Sequence, residues 1–143
     1  MKVRTFLDTN VVVYAYDTTD PGRQSVAQRV LGDAARSGNA CVSTQVLGEA
    51  FVVLTRKVSR PLEPAEAVQV IHALGRLEVV EIGVMAVNLA LHYTVGAGIS
   101  YWDALIVAAA RLGECECLFT EDLRAGQVFD TVTVTNPFAS TVG

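Results

Sequence analysis

Short apolar runs and longer segments of helical periodicity alternate along this chain. Val3 to Leu7, Ala40 to Ser43, Val79 to Ile82, Cys117 to Thr120 and Val132 to Val134 are short, mostly apolar and rich in β-branched residues. Runs of this kind read as strands of a buried parallel sheet. Helical segments lie between them. Arg23 to Arg36 places Val26, Val30, Leu31 and Ala34 on one face, and Pro64 to Leu77 does so with Ala67, Val70, Ile71 and Leu74. Val11 to Tyr16 is a short helix, Gln45 to Val58 stops before Pro61, and Val84 to Tyr93 gives way to a loop at Gly96-Ala97-Gly98. Tyr101 to Leu112 is apolar on nearly every side, which predicts a buried helix. The alternation predicts an α/β fold, a parallel sheet covered by helices. Ligands of such sheets bind past the carboxyl ends of strands, where the strand order reverses.

Four acids stand out against this background. Asp8 and Asp122 sit at or just past strand carboxyl ends, while Glu49 and Asp103 fall in apolar helical segments. Acids in apolar surroundings are costly unless paired, hydrogen-bonded or metal-bound. Brought together they would offer oxygen ligands, which suit Mg²⁺ or Mn²⁺. Each also has an ordinary reading. Asp8, followed by Thr9-Asn10, serves as a helix N-cap. Ser100-Tyr101-Trp102-Asp103 fits a capping box. Asp122 could cap a short helix, with Glu121 as the more exposed rival. Glu49 is harder to explain, because Val46 and Val53 share its stripe. Thr120 is placed to orient a neighbouring carboxylate.

Size and composition narrow the rest. A chain of 143 residues is expected to form a single domain, 1–143. Hydrophobic residues are 51% and charged residues 18%, which excludes a disordered chain. No apolar run reaches the ~18 residues of a membrane span. With Lys2 leading straight into a strand there is no signal-peptide layout, so a cytoplasmic protein is expected. Cys41, Cys115 and Cys117 lack zinc-site spacing and read as reduced thiols. The net charge is −4, and outside the four acids the chain has as many acids as its 11 bases. There is no basic run of the kind used for non-specific nucleic-acid binding. Such contact would fall to scattered arginines such as Arg23, Arg56, Arg60 and Arg124. His72 and His92 form no catalytic arrangement, and no Gly-rich phosphate loop follows the first strand. Tyr101 and Trp102 read as core before cleft wall.

The motifs around the acids carry a resemblance. Phe6-Leu7-Asp8-Thr9-Asn10, Gln45-Val46-Leu47-Gly48-Glu49, Gly98 to Ile106, Phe119-Thr120-Glu121-Asp122-Leu123 and Asn136-Pro137-Phe138 together resemble a PIN-domain ribonuclease, most closely the VapC-type toxins of toxin–antitoxin pairs. The resemblance implies a PIN-like three-layer fold around a five-stranded parallel sheet in the order 3-2-1-4-5. It also implies a Mg²⁺ or Mn²⁺ site at Asp8, Glu49, Asp103 and Asp122, supported by Asn10 and Thr120. The implied activity is endoribonuclease cleavage of RNA by a metal-activated water. A homodimer and a VapB-type antitoxin partner are implied as well. A PIN nuclease in RNA processing and a non-catalytic PIN-fold binding module stay open as alternatives. A receiver domain would need a lysine after its last strand, and the only lysines are Lys2 and Lys57. A haloacid-dehalogenase phosphatase would need a second acid where Asn10 stands.

Overall fold

The computed structural model describes residues 3–139; the ends of the expected 1–143 unit lie outside the described residues. Strands β1 (Thr5–Leu7), β2 (Ala40–Ser43), β3 (Glu78–Val80), β4 (Cys117–Phe119), β5 (Val128–Phe129) and β6 (Val132–Thr135) form one sheet in the order β3-β2-β1-β4-β6-β5. Helices α1 (Thr9–Tyr14), α2 (Pro21–Ser37), α3 (Thr44–Val52), α4 (Pro64–Leu74), α5 (Val84–Ala97) and α6 (Tyr101–Leu112) connect them. The expected parallel order is present in β3-β2-β1-β4-β6, whose neighbours pair in parallel. The expected count of five strands is corrected to six. The extra strand, β5, pairs antiparallel with β6 through a turn at Asp130, whose φ is 54°. A two-residue strand is too short to show a hydrophobic period, so the sequence pattern passes over it.

The core sits between the sheet and its helices. Phe6, Val42, Leu118 and Val134 are fully or almost fully enclosed, one from each of four strands. Helix α6 is buried along Ala104 to Ala110, as its uniform apolarity predicts. Helix α5 meets α6 at a bend of 120°. Gly98 makes that corner, ending α5 in the left-handed conformation at φ 70°, which costs a glycine little. Gly96, expected in the loop, lies inside α5. No single helix is long and apolar enough to cross a membrane among the described residues.

Helix α3 departs most from expectation. Instead of continuing as α-helix to Val58, it passes into a π-helical turn, Val53–Lys57, in which the Val58 amide donates to the Val53 carbonyl at 3.2 Å. Single π turns inside helices recur at functional sites. Ser43 caps the other end of α3, its Oγ accepting from the Val46 amide at 3.3 Å.

Gly113 locks α6 against the sheet by close approach. A Cβ there would lie 2.9 Å from Cys41 Sγ and 3.0 Å from Val80 Cγ2. Gly113→Ala is therefore expected to lower the unfolding free energy by about 1–3 kcal/mol through overpacking. Gly96→Ala, where nothing lies within 4 Å, should raise it by about 0.5–1 kcal/mol as a helix-interior replacement. Urea titration of the two variants checks both signs.

Candidate active site

The register of β1 and β4 sets the centre of the site. Leu7 pairs with Phe119, so the next residues out, Asp8 and Thr120, meet at the carboxyl edge. The Asp8 amide still donates to the Phe119 carbonyl at 3.0 Å, extending the ladder by one step. Asp8 is 5% exposed and Thr120 fully buried. The Thr120 hydroxyl donates to Asp8 Oδ2 at 2.7 Å, and the Thr9 amide donates to Asp8 Oδ1 at 2.7 Å. Asp8 is thus the N-cap of α1, as its ordinary reading holds. Burial pushes its carboxyl up to about 7, against the pull of these two hydrogen bonds and with the charges of Asp122 and Glu49 adding to the rise.

Thr120 also gathers the neighbours. Its Oγ1 accepts from the Asp122 amide at 3.0 Å and from Asn10 Nδ2 at 3.3 Å. The same Asn10 amide donates to Asp122 Oδ2 at 2.9 Å. Glu49, carried by α3, accepts from Thr9 Oγ1 at 3.0 Å. Asp103 lies in the first turn of α6, where its amide donates to the Ser100 hydroxyl at 3.1 Å. Gln45 Nε2 donates to the Trp102 carbonyl at 3.3 Å and so ties α3 to the start of α6.

All four acids line one pocket of about 120 Å³, together with Thr9, Gln45, Val53, Trp102 and Ile106. Glu49 and Asp122 are exposed at its rim, Asp103 is half-buried, and only Asp8 is enclosed. Among the described residues no three His, Cys, Asp or Glu side chains converge tightly enough to form a closed metal cluster. Thr9 and Asn10 draw Glu49 and Asp122 toward α1. The donor set nonetheless fits a hard divalent cation, because its acceptors are carboxylate, hydroxyl and amide oxygens. Two buried amide oxygens, Asn10 Oδ1 and Gln45 Oε1, have no donor of their own, and Gln45 lines the pocket itself. A larger concavity lies between β1 and α2, but its one acid, Asp33, is paired with Arg36.

Several expectations change here. Glu49 does not interrupt a buried face; it stands exposed at the pocket rim. Asp122 caps no helix, since the chain runs as bends and turns from Glu121 to Gln127. Glu121 is not the exposed neighbour: its side chain is 19% exposed and clamped by Arg23 Nε at 3.0 Å and by the Tyr14 hydroxyl at 2.9 Å. Burial and that carboxylate push the Tyr14 phenol up to about 12. Arg23, lying over the Tyr14 and Phe138 rings at 5.4 and 5.7 Å, is thereby committed to structure and removed from the arginines offered for nucleic-acid contact. Trp102, expected in the core, is 63% exposed on the pocket wall. Thr9 was legible as a hydroxyl beside Asp8; the Arg23–Glu121 contact, spanning 98 residues, carried no local signal.

A mostly parallel sheet with acids from four separate segments lining one pocket past its carboxyl edge defines an α/β protein with an oxygen-ligand pocket at the strand-order switch point. The PIN domain model matches residues 5–130, and the chain belongs to that family. No curated protein matches the chain significantly. Among solved structures, a toxin–antitoxin complex from Klebsiella pneumoniae is similar at 17% identity and a TM-score of 0.70, over 93% of this chain and 97% of the other. VapBC2 from Rickettsia felis, bound to a DNA fragment from its promoter, is similar at 18% identity and a TM-score of 0.66, over 92% and 97%. Mycobacterium tuberculosis VapC20, described as a sarcin–ricin-loop-cleaving toxin, is similar at 20% identity and a TM-score of 0.63, over 80% and 86%. At these identities the likeness establishes the shared fold.

The buried Asp8 carboxyl makes stability depend on pH. Its folded value of about 7 lies above the ordinary 3.8, so the native state holds the proton more tightly than the unfolded chain. That contribution is fully present below about pH 4 and is lost as pH rises to about 7, amounting to about 4 kcal/mol at most. Asp8→Asn removes the titration. Melting temperatures of parent and variant in chelator, from acid to neutral pH, should therefore diverge in favour of the variant up to pH 7 and then run parallel. Parallel curves throughout would exclude a raised Asp8.

Proposed function

We propose that this chain is a metal-dependent endoribonuclease and the toxin of a VapC-type toxin–antitoxin pair. The observation that carries the reading is the convergence of Asp8, Glu49, Asp103 and Asp122 on one pocket at the carboxyl edge of a PIN-family sheet. The similarity to toxin–antitoxin complexes supports the partner, a VapB-type antitoxin that occludes the site. The similarity to a toxin that cleaves the sarcin–ricin loop supports RNA as substrate. A cytoplasmic homodimer completes the proposal.

Asp8 and Asp103 would hold Mg²⁺ or Mn²⁺ most directly, with Asp122 and Glu49 completing the oxygen set. The ion, when bound, lowers the pKa of water and offsets charge on the phosphoryl oxygens. The remaining work belongs to the chain. The Thr120 hydroxyl and Thr9 amide fix both oxygens of Asp8. Asn10 fixes Asp122, and Thr9 Oγ1 fixes Glu49 as the group that orients the attacking water. Because Asp8 must shed its proton to act as a ligand, metal affinity should rise with pH and level off above about 7.

Purified protein should cleave RNA only with Mg²⁺ or Mn²⁺ and leave 5′-phosphate and 3′-hydroxyl ends, since water attacks in place of the ribose 2′-OH. Thr120→Val, which removes the hydroxyl that orients Asp8, is expected to cut the rate by about 10–100-fold. Asp8→Asn should cut it further. End-labelling of the products checks the chemistry, and a 2′,3′-cyclic phosphate would rule this mechanism out. Growth arrest on induction, relieved by the protein encoded beside it, checks the toxin role.

A further inference from the structure

Building on the ribonuclease reading, we propose that single-stranded RNA crosses this site along one path, with a base against Trp102 and a flanking phosphate on Lys57. The acid pocket, at about 120 Å³, is smaller than the ~300–1,000 Å³ of ordinary ligand pockets. It accommodates a reacting phosphate and leaves the rest of a strand outside. A groove of about 340 Å³ beside α1 adjoins it, lined by Asn10, Tyr14, Asp17, Lys57 and Ser59 among others. Thr9, Val53 and Asp122 line both cavities, so the two lie side by side.

The two ends of this path have complementary chemistry. At one end Trp102 is 63% exposed, with Tyr101 packed edge-on against it at 5.0 Å. Its backbone is held by Gln45. An exposed, braced ring is a stacking platform for a base. At the other end Lys57 is the one cation lining either cavity among the described residues. It is exposed, and Arg56 and Arg60 beside it are exposed too. The ion pairs of the described residues engage Arg23, Arg36 and Arg111 and leave this cluster uncommitted.

Helix geometry explains how Lys57 reaches the groove. Gln45, Glu49, Val53 and Lys57 are spaced four apart, and successive members line the pocket and then the groove. In an α-helix each step of four overshoots a full turn by about 40°, so the stripe would wind away. The π turn at Val53–Lys57 holds more residues per turn and takes back part of that drift over the last step. Acids repel a polyanion, so a cation just past them, with an aromatic platform on the opposite wall, is the arrangement that a single strand can bridge.

Trp102 is the only tryptophan in the chain, so its fluorescence reports one end of the path directly. Binding of a short unstructured RNA to the Asp8→Asn protein in Mg²⁺ tests both ends, by Trp102 quenching and by anisotropy of labelled RNA. Saturating RNA should quench Trp102. Lys57→Ala should weaken binding by about fivefold near 0.1 M salt and reduce the salt slope by about 0.7, the value of one phosphate contact on a single strand. Lys57→Arg should restore both, and Arg29→Ala on α2 should change neither. Binding without quenching, or an unchanged salt slope in Lys57→Ala, would overturn the path while the ribonuclease reading stands. Absence of RNA binding by the Asp8→Asn protein itself would overturn that reading and the path with it. If both ends prove irrelevant to RNA, Trp102 and Lys57 belong to a protein partner instead.

Discussion

One buried hydroxyl organises this site. Thr120 Oγ1 donates to Asp8 and accepts from the Asp122 amide and from Asn10. It therefore holds a carboxyl that would otherwise be expelled to solvent. Enclosing a carboxyl without partners costs several kcal/mol, and a hydrogen bond to a charged group returns about 1.5–3 kcal/mol. The balance leaves Asp8 near the neutral point, at about 7. A carboxyl so placed is readily ionised by a cation and readily reprotonated without one. That contact exists only because β4 lies directly beside β1 with Leu7 opposite Phe119. A slip of one residue would turn Thr120 to the other face and leave Asp8 unsupported.

Burial decreases from Asp8 outward, through half-buried Asp103 to the exposed Glu49 and Asp122. One enclosed acid anchors the set at a cost the threonine offsets, while the outer acids stay solvated and cost little. Their positions come from helices with independent reasons to be where they are. Helix α6 is fixed by burial along most of its length and α3 by its Ser43 cap. Gln45 then joins the two helix starts across the pocket.

The strand–helix alternation was legible because it rests on local signals, short apolar runs of three to five residues and amphipathic periods, while the strand order followed from the resemblance. That the four acids meet at one pocket was legible because the motifs around them sit in fixed order. What escaped was produced by tertiary contact. Strand β5 is two residues long and exists only as the partner of β6. The π turn after Val52 has no residue that announces it. The exposure of Trp102 depends on what packs around the start of α6, which no stretch around residue 102 encodes.

Glu121 and Asp122 show the limit most clearly. The sequence points to Asp122 over Glu121, and the structure does set Asp122 on the pocket and Glu121 off it, but their exposures are the reverse of those expected. Thr120 points into the core, so its two successors leave the strand end on different sides. Glu121 falls toward α1 and α2, where Tyr14 and Arg23 claim both of its oxygens. Asp122 falls toward the pocket, where Asn10 claims one and leaves the other open. The half-buried acid is thus the structural one and the exposed acid belongs to the site. The clamp on Glu121 fixes the loop from which Asp122 projects. An ion pair with 36% and 19% exposed partners contributes modest stability. Its larger effect is geometric, because it removes from Asp122 the freedom to swing away from the other three acids.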